Sequence, residues 1–517
     1  MGGVEMNKQS ALDELKRRQE IGRQMGSPER IARHRERGHI TVRERIEKLV
    51  DAGTWMEEGL LRQLRSPDGR ELPANKVNGY GKINGRTVII HADDNTILAG
   101  SGNVRSRPRG LHTELTPEQN FPVIRLGESG GVNMQTVQGS IGVLAVTYPA
   151  QNLLHPRRTP HITAIMGNCF GDPTWTAAIS DLVVMVKGTC MAVSGPRVLE
   201  VALEEKTTPE DLGGWQLHAE ITGLVDTFAD NDEHCMQIIR EMLSYLPQTC
   251  DEEPPRLTTN DPPDRKSEKL LKIIPDKANR VYDMHQVIKE IVDNGKFFEL
   301  KPFFGKALIT CLARMNGRVV GIIASQTMHN AGAAGPDECE KAASFICLCD
   351  TYNIPLVHLA DTPGFLVGRP AERRKISLKI MTWMEALALA SVPKITVIVR
   401  KAYGMAISNM GGSNCGADFL VSMATGEISF MAPEAAANVA FRNRIEEAED
   451  PEAERQKYIR QMEIDSAPWD AASVGLLEDV IDPRDTRKYI IDCLEIMHER
   501  RNGFISKKNL QSWPTGF

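Results

Sequence analysis

Long apolar runs are missing from this chain, and none approaches the ~20 residues that a membrane span needs. The first twenty residues, MGGVEMNKQSALDELKRRQE, hold no apolar stretch, which argues against a secretory signal. Met6 stands where a myristoylation pattern needs Ser or Thr. An excess of positive charge is missing too. With 62 basic and 68 acidic side chains the net charge is −6, so there is no footprint for nucleic acid. The ten cysteines form no CxxC pair and lie mostly inside apolar runs, which reads as reduced, buried thiols of a cytoplasmic protein. Cys339, Cys347 and Cys349 share one helical stretch. Core thiols are a better reading of them than a metal site, because zinc ligands sit on turns at CxxC spacing. No G-x-x-x-x-G-K-S/T phosphate loop is present, and no G-x-G-x-x-G follows a strand. Ser129 resembles a nucleophile only superficially, since no His follows in a triad arrangement. These absences point to a site that works through backbone dipoles rather than through a side-chain acid, base or nucleophile.

What the chain does have is a repeat. FPVIRLGESGGV begins at Phe121 and IPLVHLADTPGF at Ile354. Pro122 and Pro355 differ by 233 positions, as do Glu128 and Asp361, and Gly131 and Gly364. PHITAIMGNCFG at Pro160 and PKITVIVRKAYG at Pro393 keep the same offset, and Arg86 and Arg318 open β-branched runs 232 apart. The constant offset means two copies of one βα-type domain. Each copy has two strand–glycine-turn–helix junctions, where free N–H groups at a helix start stabilise negative charge. Paired junctions suit a site that handles two developing oxyanions.

Charged residues at helical spacing over 8–50 predict a helical arm. ITVRERIEKLVDAGTW reads as an amphipathic helix ending at Gly53. Ile-Asn-Gly at 83–85 signals a hairpin, and 104–120, with two Pro, reads as a connection that is at most partly helical. Strand HITAIMG leads through NCFGDP into a helical TWTAAISDLVVMV. The four-Pro stretch 250–269 has linker composition. This divides the chain into an N-terminal domain 1–249, a linker 250–269 and a C-terminal domain 270–517. Helices are expected over 336–352 and 370–391. PLVHLA and KITVIV read as buried parallel strands.

These residues resemble the carboxyltransferase (β) subunit of biotin-dependent acyl-CoA carboxylases of the propionyl-, acetyl- or methylcrotonyl-CoA type, together with related acyl-CoA decarboxylases. The resemblance spans about 30 to 505. The family's arm motif K-x-T-A-R-E-R-I-x-x-L-x-D-x-G appears as HITVRERIEKLVDAG (39–53), and its D/E-S-G-G as Glu128 to Gly131. DLGGWQLHAEITGLVD (211–226), Asp361 to Phe365 (D-T-P-G-F), VPKITVIVRKAYGMA (392–406) and AASVGLLEDVIDPRDTR (471–487) match further blocks.

The resemblance implies an α/β fold of two tandem crotonase-like domains related by internal duplication, assembled as a homo-oligomer, a hexamer. It implies an acyl-CoA side in the N-half, with the N–H groups of Gly171 and Asp172 on the thioester oxygen. Gly130, Gly131, Ala99, Gly100 and Ser101 would form the substrate-binding turns. It implies a biotin side in the C-half, with the N–H groups of Met405 and Ala406 on the ureido oxygen and Gly364, Phe365, Gly404 and Ser408 around the cofactor. Biotin would arrive on a separate carrier subunit, charged by a biotin carboxylase subunit. This chain has neither a phosphate loop nor a biotinyl-lysine motif. Arg105, Arg107 and Arg109 are candidates for the CoA phosphates. The family's Gly-Gly-Ala in the N-half turn is here Gly171, Asp172 and Pro173, and its G-I-I-R-H-G is here KISLKI (375–380). A biotin-independent decarboxylase of a malonyl-type CoA and a non-catalytic structural subunit are the alternatives.

Overall fold

The computed structural model describes residues 8–65, 71–102, 120–134, 137–140 and 157–514. It divides into two compact units, Met1–Ser244 and Tyr245–Phe517. The first unit carries a seven-stranded sheet in the order Met56–Glu58, Lys76–Ile83, Arg86–Asp93, Val123–Gly127, His161–Ile165, Leu182–Val186, Thr227–Ala229. Its first three strands pair antiparallel, and the rest are parallel. In the second unit the order is Phe297–Leu300, Leu308–Met315, Arg318–Ser325, Leu356–Thr362, Lys394–Tyr403, Phe419–Met423, Asp479–Ile481. The sense of pairing is the same at every step.

The duplication is legible down to single turns. Asn84 and Gly85 join the first hairpin with φ of 51° and 79°, and Asn316 and Gly317 join the second with 49° and 76°. Positive φ at both central residues is the turn that matches the right-handed twist of the strands. Each unit also adds a short parallel side ladder. Asn168–Phe170 pairs with Cys190–Ala192, and Lys401–Tyr403 pairs with Glu427–Ser429. The strands Leu182–Val186 and Lys394–Tyr403 are buried along their whole length, as a parallel sheet covered on both faces requires. In the second unit Val357, Leu359, Ile395 and Val397 form one apolar layer with Val287, Ile288, Ile291, Ile490 and Leu494.

Several expectations need correction. TWTAAISDLVVMV is not one helix: Asp172–Ala178 is helical and Leu182–Val186 is a central strand. The break comes at Asp181, whose carboxylate accepts from the N–H of His161 at 2.9 Å and so belongs to a strand entrance. The stretch 250–269 is not a linker but part of the second unit. Asn353 Nδ2 donates to the carbonyls of Cys250 and Glu252 at 2.7 and 2.6 Å, and Arg487 donates to those of Asp261 and Pro262. Proline limits the partners available within a segment, and here side chains from elsewhere in the unit supply donors to its carbonyls. The expected helix 370–391 is two helices, Arg369–Arg373 and Ile376–Leu389, parted by Lys375 at φ 58°. The arm is three helices, Lys8–Arg23, Pro28–Glu36 and Val42–Leu49; the last stops short of Gly53. The connection 104–120 lies, but for Asn120, outside the described residues.

Thr41 starts the third arm helix with a complete capping box: its side chain accepts from the N–H of Glu44, and Glu44 accepts from the N–H of Thr41. Thr41→Ala is expected to destabilise the first unit by about 1 kcal/mol. Scanning calorimetry should show a drop of ~2–4 °C in its transition; an unchanged transition would show that the cap is redundant.

Candidate functional site

Beneath the first glycine turn of the first unit lies a buried carboxylate. Arg45, from the arm helix and only 1% exposed, donates through Nη1 to Glu128 Oε2 at 2.6 Å and through Nε to Asp232 Oδ2 at 2.8 Å. Its Nη2 reaches the carbonyl of Met166 at 3.2 Å. His34 faces the other Glu128 oxygen at 3.5 Å, and burial holds its pKa below the ordinary histidine value. Above this anchor the backbone knits together the predicted residues: Gly130 N–H donates to Ala99 O, and Gly102 N–H to Gly131 O, both at 2.8 Å. The Ser129 hydroxyl donates to Gly100 O at 2.9 Å. The letters Gly127 to Gly131 spell the G-x-S-x-G of a nucleophile elbow, but this hydroxyl has a structural task. Gly100 has φ 62°, and a Cβ there would stand 2.4 Å from Glu128 O, so no other residue fits.

The second unit repeats the arrangement with other side chains. Asp361 Oδ2 accepts from Tyr282 Oη at 2.8 Å and from Arg400 Nε at 3.1 Å. Burial, and then the Asp361 charge, push the Tyr282 hydroxyl well above its usual pKa. Thr362 Oγ1 donates to Gly332 O at 2.9 Å, as Ser129 does to Gly100. A Cβ on Gly332 would meet Asp361 O at 2.6 Å. Ala334 N–H donates to Gly364 O, and Phe365 packs edge-on to Trp383.

The second glycine turn follows the next strand. Gly171 has φ 72° and Gly404 has φ 60°. The Gly171 N–H donates to Ala192 O at 3.2 Å and the Gly404 N–H to Ser429 O at 2.9 Å, so both are engaged by their side ladders. This corrects the expectation that the Gly171 N–H points at a ligand. The next two residues open short helices in both units: Asp172 and Pro173 in the first, Met405 and Ala406 in the second, each 233 apart. The N–H groups of Met405 and Ala406 have no acceptor among the described residues. Pro173 has no N–H at all, whereas Ala406 at the matching position has one. The face of Gly171 is open: apart from its chain neighbours, no atom of the described residues lies within 4 Å of where a Cβ would stand. Ser408 is buried and accepts from Asn414 Nδ2 at 2.9 Å, which makes it a support of the turn. Asp172 pairs with Arg125 at 2.6 Å. Arg105, Arg107 and Arg109 lie outside the described residues.

Sequence reasoning did not assign Arg45, Arg125, Asp232, Tyr282 or Arg400. Arg45 and Arg400 lie inside quoted motifs, and a full charge within an apolar strand such as KITVIVRKAY signals a buried partner.

The family model described as the carboxyl transferase domain matches residues 33–511. The chain belongs to this family. It is a carboxyltransferase of the acyl-CoA carboxylase kind. It is 35% identical over 512 residues to a propionyl-CoA carboxylase carboxyltransferase subunit of Haloferax mediterranei, covering 98% of this chain and 99% of the relative. It is 34% identical to the methylmalonyl-CoA decarboxylase subunit alpha of Propionigenium modestum, over 96% of this chain and 98% of that one. Among solved structures, transcarboxylase 12S with methylmalonyl-coenzyme A bound superposes with a TM-score of 0.89 at 32% identity, covering 96% and 97% of the two chains.

Removing Arg45 would leave two buried carboxylates without their arginine. Arg45→Met is therefore expected to cost about 3–5 kcal/mol, visible as loss of soluble protein or a sharply lowered unfolding temperature of the first unit. A stable, soluble variant would mean that the anchor is not needed.

Proposed function

We propose that the chain transfers CO₂ between carboxybiotin and the α-carbon of an acyl-CoA. The first unit would take the acyl-CoA and the second the biotin of a carrier subunit. In this reading both units are crotonase-like domains. The observation that supports it best is the matched pair of turns at Gly171 and Gly404. In each, a glycine with positive φ is tied down by a side ladder, and the next N–H opens a helix, where an anion is stabilised. The Met405 and Ala406 N–H groups, without acceptors among the described residues, suit a ureido oxygen. Bound carboxybiotin would supply the CO₂.

The chain's own contribution is electrostatic. When the α-carbon loses its proton ahead of carboxylation, or loses its carboxyl group as CO₂, the electron pair of the broken bond moves onto the thioester oxygen. It returns from there to form the new C–C or C–H bond, and biotin, once free of CO₂, would take up or give back the proton. A preorganised N–H donor aimed there is worth roughly 2.7–4 kcal/mol. In the first unit that donor is the Asp172 N–H, beside the open face of Gly171. The carrier and a biotin carboxylase subunit are the partners this chemistry requires, and a cytoplasmic homo-hexamer is the proposed assembly. Active protein sedimenting as a 57.3 kDa monomer would count against the assembly.

Purified chain supplied with methylmalonyl-CoA is expected to turn it over only when free biotin or a biotinylated carrier is added. Catalytic CO₂ release without biotin would instead establish the decarboxylase reading. Gly171→Val places a branched side chain on the open face and strains φ by about 1–2 kcal/mol. Its turnover should fall at least 100-fold while the unfolding temperature drops by only ~2–8 °C. Full activity in this variant would remove the turn from the mechanism.

A further inference from the structure

The carboxylate at Asp172 is an awkward neighbour for the chemistry just proposed. Asp172 is the first residue of its helix, next to the Gly171 face, and its side chain is 51% exposed. Negative charge favours a helix start, but here it stands beside the place where an enolate oxygen would develop. Arg125 answers it. Arg125 lies on the central strand Val123–Gly127, between His91 and Thr163 on the neighbouring strands. Its Nη2 donates to Asp172 Oδ2 at 2.6 Å and its Nη1 to Thr176 Oγ1 at 3.0 Å, one helical turn further on. Thr176 Oγ1 in turn donates to the carbonyl of Asp172 at 3.0 Å. The guanidinium therefore spans the first turn of the helix and fixes where the carboxylate lies.

The duplication supplies an internal control. The position 233 beyond Asp172 is Met405, which is neutral, and the position 233 beyond Arg125 is His358. His358 is fully buried, and neither ring nitrogen has a partner among the described residues. Burial, with the Lys394 charge adding to it, pushes its pKa down to about 3, so it is neutral as well. Where the turn carries no carboxylate, the strand below carries no permanent cation. The two charges occur together in the first unit and are absent together from the second. A pair this exposed adds little to stability, so its presence at this one turn asks for another reason.

We propose that Arg125 is a positioning residue, which neutralises the Asp172 carboxylate and holds it to the side of the turn so that charge can develop on the thioester oxygen. This rests on the reading that the thioester binds at Gly171–Asp172. Arg125→Met should lower kcat with methylmalonyl-CoA and free biotin on the order of 10- to 100-fold, the size of a like-charge contact of a few ångströms at an effective dielectric near 20. KM for the thioester should change less than about threefold, since the thioester oxygen beside Asp172 is uncharged in the ground state. The loss should shrink as salt is raised. Adding Asp172→Asn to Arg125→Met should restore kcat to that of Asp172→Asn alone. If Arg125→Met fails to fold, Arg125→Gln, which can still reach Thr176, carries the same comparison. A loss of kcat that Asp172→Asn does not rescue, or no loss at all, would overturn the proposal. Gly171→Val, run alongside, separates the two failures: if it is fully active the thioester reading falls, and if it is inactive while the rescue fails, only the role of Arg125 falls.

Discussion

A carboxylate is buried under the first glycine turn of each unit, and the geometry of the turn above depends on how that charge is neutralised. Glu128 and Asp361 occupy the same place in the duplicated fold, at the end of a central strand. Gly100 and Gly332 press so closely on the carbonyls of these two residues that neither tolerates a Cβ. The partners differ. Arg45 of the arm helix and Asp232 complete the network in the first unit, whereas Arg400 from the adjacent strand and Tyr282 complete it in the second. A charge taken out of water must be paired with good geometry, and many elements can supply the pair. The repeat has therefore kept the constraint and exchanged the residues that meet it.

That distinction explains what could be read in advance. The offset of 233, the Asn-Gly hairpin and the buried strands are local patterns of residue type, and each has its counterpart in the structure. The partners of Arg45 lie 83 and 187 residues away, and nothing local in HITVRERIEKLVDAG names them. The misjudged segments have local causes too. LVVMV follows a helix with no glycine or proline between them, so periodicity alone cannot part a buried strand from a buried helix. The stretch 250–269 has the composition of a linker, but composition does not reveal that Asn353 and Arg487 tie its carbonyls to a folded unit.

The second turn shows how the structure sharpens a reading made from residue types. Glycine at 171 suggested that this residue presents its own N–H to a ligand. In the structure Gly171, like Gly404, instead gives its N–H to a side ladder and uses its positive φ to aim the next residues. In the proposed reading the glycine points and the residues after it donate: Met405 and Ala406 in the second unit, and Asp172 in the first, where Pro173 has nothing to donate.

Backbone donors tolerate changes of side chain that would abolish a catalytic histidine or serine. The methionine at position 405 leaves the N–H free to point as any residue's would, because φ there is −63° and any residue adopts it. An aspartate at 172 also leaves the N–H in place, yet in the proposed reading it would bring a charge to within reach of the reacting oxygen. Side chains at such a turn are free to vary in shape but not in charge, unless a compensating charge varies with them. Arg125 is placed to be that compensation. The chain shares about a third of its residues with relatives over nearly their whole length. Chemistry done by the backbone allows that much divergence, with a limit set by electrostatics near the turns and by the buried carboxylates beneath them.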